Sequence, residues 1–166
     1  MTAPVSVARP TLHILCGKIA SGKSTLAAEL MTAPGTVMLS EDRWLSLLFH
    51  DVLHSVQDYV HYSAKLKLAI RPHVVALLQA GVNVVLDFPA NTLTSRQWLK
   101  EIIDQSGAHH LLHYLQVSDD VCKARLRARN ATGEHDFAAT DEQFEQITRY
   151  FVEPTEAEGF QIRRYC

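Results

Sequence analysis

The chain has 166 residues, 47% of them hydrophobic and 20% charged, with 16 basic and 18 acidic side chains and a formal net charge of −2. That length and apolar content suit one domain, over residues 1–166, with a real core, and exclude an intrinsically disordered chain. A pI of about 6.5 excludes a broad basic surface for duplex nucleic acid, and no apolar run reaches membrane-spanning length.

The first ten residues lack the basic start and apolar stretch of a secretory signal, so a cytoplasmic location is expected. Leu12 to Cys16 is a short apolar run with strand character, Gly17 to Gly22 a loop, and Lys23 to Leu30 a helix. Pro34-Gly35 marks a turn before a second short strand, Val37 to Leu39. Trp44 to Phe49 reads as helical. Val56 to Ala80 is a long helical pattern with Leu66, Ile70, Val74 and Leu77 at three- and four-residue spacing; Pro72 is expected to kink or divide it, and Gly81 ends it. Val82 to Phe88 reads as a strand whose consecutive apolar centre, Val84-Val85-Leu86, suits a strand covered on both faces. Thr94 to Gln105 follows as a helix with Thr94 or Ser95 near its N-cap and Gly107 after its end.

Leu111 to Val117 is the fourth strand. The histidines at its start, His109, His110 and His113, divide between its two faces, which argues against a metal cluster. Ser118 and Asp119 cap a helix running to about Arg129. Asn130 to His135 reads as a polar connection, with a small lid over about 130–139. Thr140 caps a further helix with Gln143 at the capping-box position, and Phe160 to Ile162 is a last short strand. The three cysteines, Cys16, Cys122 and Cys166, are odd in number and widely spaced, as free thiols in a reducing compartment would be. Strands and helices alternate throughout, which implies an α/β fold: a parallel sheet with helices on both faces.

Gly17-Lys18-Ile19-Ala20-Ser21-Gly22-Lys23-Ser24 fits G-x-x-x-x-G-K-[ST] in full, between an apolar strand and a helix, with Thr25 next in that helix. The glycines let the backbone wrap tightly so that its N–H groups point at phosphate oxygens, and the helix N-terminus adds partial positive charge. Lys23 is placed for the β- and γ-phosphates and the Ser24 hydroxyl for Mg²⁺. The motif serves kinases and ATPases alike. The chain is short for a large oligomeric ATPase and lacks the N-K-x-D motif that reads guanine, so ATP is the expected nucleotide.

Functional groups of an open parallel sheet gather at the carboxyl ends of its strands. Asp87 closes an apolar run there, in the Walker B pattern, and is the second candidate for Mg²⁺. After the second strand come Glu41 and Asp42. Asp42 is the preferred base for an acceptor hydroxyl, with Glu41 as the alternative. Arg43 is a candidate for an acceptor's phosphate, and Asn91 and Thr92 for substrate or a metal-bound water. Arg125 and Arg129, four apart on one helix face, are candidates for stabilising a transferring phosphoryl group, while Arg127 points elsewhere.

The phosphate loop, Leu39-Ser40-Glu41-Asp42, Val84 to Asn91 and Val117 to Asn130 together resemble the small P-loop kinases of the AAA_33 type. These are similar to the kinase domain of polynucleotide 5′-hydroxyl kinases, to zeta toxins and to chloramphenicol phosphotransferase. The resemblance covers roughly residues 11 to 152. It implies a three-layer P-loop NTPase sandwich of about five parallel strands in order 2-3-1-4-5, ATP and Mg²⁺, and transfer to a hydroxyl. It places the catalytic aspartate on Asp42 and the lid arginine on Arg129. The family usually has an arginine two or three residues after that aspartate; here Arg43 is adjacent and position 45 is Leu45. The expected activity is transfer of the γ-phosphate of ATP to a hydroxyl of a small molecule, nucleotide sugar or nucleic acid end, by a monomer or weak dimer. The alternatives are a regulatory nucleotide-binding module without an acceptor, and a toxin-like kinase held by a partner protein.

Overall fold

The computed structural model describes residues 9–132 and 140–166. Five strands form one sheet: β1 (Thr11–Cys16), β2 (Thr36–Ser40), β3 (Asn83–Asp87), β4 (His109–Leu115) and β5 (Ile162–Tyr165). Their order is β2-β3-β1-β4-β5, and every pairing is parallel. This is the expected order. A parallel sheet needs both faces covered, and β3 shows it: Val84, Val85 and Leu86 are all fully buried.

The helices are α1 (Lys23–Leu30), α2 (Glu41–Phe49), α3 (Val56–Gln79), α4 (Leu93–Ser106), α5 (Asp119–Thr132) and α6 (Asp141–Thr148). One sheet face, carrying Leu12, Ile14, Cys16, Val84, Leu86, Leu112 and Tyr114, packs with Leu45 of α2, Leu66, Ile70 and Val74 of α3, and Leu99 and Ile102 of α4. On the other face Leu15 and Val85 pack against Ala27 of α1. A third cluster joins Cys122 and Leu126 of α5 to Phe144 of α6, with Ile19 and Ala20 of the phosphate loop against it.

Several boundaries differ from the sequence expectation. Pro72 does not divide α3, which runs unbroken for 24 residues. The carbonyl deprived of its bond belongs to Leu68, a residue 78% exposed, where water can serve it. The N-cap of α4 is Thr92, not Thr94 or Ser95: Thr92 Oγ1 accepts the Ser95 N–H at 3.1 Å and Ser95 Oγ accepts the Thr92 N–H at 3.1 Å. α2 begins at Glu41 rather than Trp44, because Ser40 already caps it by accepting the Arg43 N–H. β4 lies two residues earlier than expected and β5 two later, centred on the charged Arg163-Arg164 pair; Phe160 is buried before β5 begins. α5 continues through Asn130 to Thr132, so the polar connection starts later than expected. The rest of the expected lid, including His135, lies outside the described residues. Thr140 and Gln143 form the expected capping box of α6. Among the described residues, no helix is long and apolar enough to cross a membrane.

Candidate active site

The phosphate loop leaves β1 at Gly17, where the packing favours glycine: a Cβ there would lie 2.5 Å from Ser21 Oγ and 3.3 Å from Leu115. Gly22 has φ 105°, and Ala20, a non-glycine, is also left-handed at φ 63°. A left-handed alanine is mildly strained, and such strain gathers at functional loops. α1 starts on Gly22 with no capping side chain and no acid in its first turn. Among the described residues no side chain caps its N–H groups, which suit a phosphate. The Ser21 hydroxyl is buried without a hydrogen-bond partner among the described residues. These features fit a polyphosphate.

Lys23 Nζ donates to the carbonyls of Gly17 (2.5 Å) and Lys18 (2.8 Å). Burial pushes its pKa down, an effect the Asp87 carboxylate opposes. The Lys18 side chain turns away from the loop to Asp119, at 2.5 Å, and over the Phe151 ring. Ser24 and Thr25 are exposed on the first turn of α1.

A polar cleft of about 360 Å³ opens at the carboxyl edge of the sheet, lined by Ser24, Ser40, Asp42, Arg43, Ser46, Leu47 and Asp87. It brings together four residues singled out in the sequence: Ser24 from α1, Asp87 from the end of β3, and Asp42 and Arg43 from the start of α2. Ser46 and Leu47 were not anticipated; once α2 starts at Glu41, they stand one turn beyond Asp42 and Arg43 on the same face. Burial raises the Asp87 pKa; Lys23 opposes this, and the charges of Asp42 and Glu41 add to it. Among the described residues no three His, Cys, Asp or Glu side chains form a metal site by themselves. A hydroxyl and one carboxylate nevertheless suit Mg²⁺, which takes few protein ligands and shares phosphates.

Glu41 does not line this cleft. It is 1% exposed, faces α3, and accepts from Ser63 Oγ at 2.8 Å and from the Tyr59 hydroxyl. Arg125 reaches the loop, Nη1 donating to the Ser21 carbonyl at 3.2 Å. Arg129, one turn on, is half-buried, and its Nε has no partner among the described residues. Arg127 points elsewhere, pairing with Asp141. Asn91 is not part of the cleft lining either: its Oδ1 accepts the Gly17 N–H at 3.0 Å. Thr92 is spent on the α4 cap. The histidines of β4 have separate tasks. His110 Nε2 accepts the Gln161 N–H, while His113, 1% exposed, lies between His13 and Tyr165.

The AAA_33 family model, an AAA domain, matches residues 12–154. No curated protein matches the sequence. Solved structures share the fold. A candidate kinase from Chloroflexus aurantiacus J-10-fl superposes with a TM-score of 0.74 at 20% identity, over 96% of this chain and 86% of that one. A chain of the Pnkp1/Rnl/Hen1 RNA repair complex gives 0.64 at 22%, over 89% of this chain, which spans only 45% of that one. The Mycobacterium tuberculosis APS kinase CysC, in complex with AMPPNP and APS, gives 0.55 at 17%, over 86% and 98%.

Proposed function

The chain belongs to the AAA_33 family, and on that premise we propose that it is an ATP-dependent phosphotransferase with a hydroxyl acceptor. Its P-loop kinase-like fold implies nucleotide binding. The observation that carries the finer reading is the single cleft where Ser24, Asp42 and Asp87 meet beside the phosphate loop.

In this reading the uncapped start of α1 and the loop amides hold the phosphates. Lys23 leaves the Gly17 and Lys18 carbonyls for the β- and γ-phosphate oxygens. Ser24 and Asp87 would hold Mg²⁺, which when bound neutralises phosphate charge. Asp42 takes the proton of the acceptor hydroxyl as that oxygen bonds to the γ-phosphorus and the bond to the ADP oxygen breaks. Arg125, already at the loop, and Arg129 stabilise the charge that develops on the transferring group. Arg43 stands at the acceptor side of the cleft. The acceptor is a small molecule, a nucleotide sugar or a nucleic acid end.

The test is a screen of acceptor hydroxyls with γ-labelled ATP, run on the wild type and on Asp42→Asn. The wild type is expected to label an acceptor. The variant should bind ATP normally and transfer roughly 10²–10⁴-fold more slowly. Label released only to water across the whole screen, or full transfer by a folded Asp42→Asn, would defeat the proposal.

A further inference from the structure

The five residues from Asp87 to Asn91 run from the cleft to the phosphate loop, and their far end is held from several sides. The Ala90 carbonyl, fully buried, accepts Arg96 Nη1 at 2.9 Å. Arg96 of α4 is itself 0% exposed and donates Nε to Glu158 Oε1 at 2.7 Å. The other Glu158 oxygen accepts the Thr155 N–H at 2.9 Å. A buried guanidinium stripped of its carboxylate is strongly unfavourable, so Arg96, Glu158 and Ala90 form a stiff mount. The Asn91 carbonyl accepts the Val152 N–H at 2.8 Å, and Thr92 is locked into the α4 cap.

Asn91 Oδ1 projects from this mount to the Gly17 amide, 3.0 Å away. A Cβ at Gly17 would lie 2.5 Å from Ser21 Oγ, so glycine is favoured there. As a glycine it places little restraint on its own dihedrals, and the Asn91 hydrogen bond adds one from outside the loop.

We propose that Asn91 is a positioning residue for the nucleotide: through the Gly17 amide it fixes the start of the phosphate loop relative to Asp87, with the Arg96–Glu158 pair as its anchor. The inference rests on the reading that the loop binds ATP. Asparagine suits the task, because its amide oxygen accepts the bond without adding negative charge beside a phosphate site.

The experiment compares wild type, Asn91→Ala, Asn91→Asp and Lys23→Ala by calorimetry with ADP and ATP, by thermal melting, and by hydrogen exchange at the Gly17 amide. In Asn91→Ala the Gly17 amide is expected to exchange faster and the melting temperature to drop, as one unsatisfied donor requires, and nucleotide affinity is expected to fall about tenfold at a temperature where the variant is still folded. Asn91→Asp keeps an acceptor oxygen and should keep the Gly17 protection. Wild-type affinity or wild-type Gly17 exchange in Asn91→Ala would overturn the inference, as would loss of that protection in a folded Asn91→Asp. Lys23→Ala separates the two readings. If it loses nucleotide while Asn91→Ala keeps full affinity, only the role of Asn91 falls. If it binds as the wild type does, the nucleotide reading itself falls.

Discussion

Asp87 is pulled in two directions. Burial and the charges of Asp42 and Glu41 favour its protonated form, while the Lys23 ammonium favours the carboxylate, and the net shift is upward. A raised carboxyl keeps its proton to a higher pH than an ordinary aspartate, whereas a divalent cation needs the carboxylate. The Mg²⁺ concentration for half-maximal transfer should therefore climb as pH falls through that raised value, beginning above the ordinary carboxyl range. Asp87→Asn should need more Mg²⁺ at every pH and lose this dependence. Mg²⁺ titrations of both proteins over a pH series measure it, and superimposable curves would make Asp87 structural. Lys23 gives the second expectation at this scale. Its ammonium is held within the loop by the Gly17 and Lys18 carbonyls, so Lys23→Ala should weaken ATP binding and abolish turnover, read by calorimetry and by a transfer assay. The loop was legible in the sequence because its requirements are local: two glycines, a lysine and a hydroxyl within eight residues. Choosing between Glu41 and Asp42 was not a local matter. Adjacent residues on a helix differ by about 100° in direction, and only the position of α3 decides which of them meets the cleft.

That position makes α2 and α3 one unit. Glu41 gives both carboxylate oxygens to α3 hydroxyls, so the turn that carries Asp42 is tied down from behind. Glu41→Ala should strand the Ser63 and Tyr59 hydroxyls and destabilise the fold by about 1–3 kcal/mol. It should also lower transfer by letting the start of α2 shift. Glu41→Gln keeps an acceptor oxygen and should retain most of the transfer rate. A base lost to amidation would instead lower the rate about 10²–10⁴-fold in a protein of nearly unchanged stability. Urea unfolding together with transfer rates for the two variants separates the roles. The boundaries of these elements were partly readable. Ser40 is an N-cap, yet the chain before Trp44 is too polar for an apolar period to announce the helix. Pro72 looked like a break because proline breaks isolated helices, whereas here Leu66, Ile70, Val74 and Leu78 hold both halves of α3 in one core.

Across the whole molecule, the parallel sheet followed from the alternation of elements and its strand order from the resemblance, but the polar contacts that join the strands did not. His13 of β1, His113 of β4 and Tyr165 of β5 line one sheet face and make a hydrogen-bonded chain: His13 Nδ1 and His113 Nε2 lie 2.9 Å apart, and His113 Nδ1 and the Tyr165 hydroxyl 2.6 Å. Their separations of 100 and 52 residues leave no trace in any local pattern. This chain ties the β4–β5 edge of the sheet to its centre, and it has a consequence for stability. Burial, with the nearby His13 and Arg163 charges, lowers the His113 pKa to about 4, and burial lowers that of His13. An unfolded chain protonates histidine near its ordinary value of about 6.5. Between about pH 6.5 and 4 the unfolded state thus binds a proton that the folded state refuses. Folding stability falls as pH drops across this window, by up to roughly 3 kcal/mol from His113 alone. His113→Gln can still hydrogen-bond but cannot take a proton. The variant should be less stable than wild type at pH 7, where the native chain is intact, and should lose less stability on going to pH 5. Urea unfolding of both proteins at the two pH values gives the comparison, in which the carboxylates common to both cancel. Equal losses for the two proteins would mean that His113 titrates as an ordinary histidine and that the chain across β1, β4 and β5 does not set the acid limit of the fold.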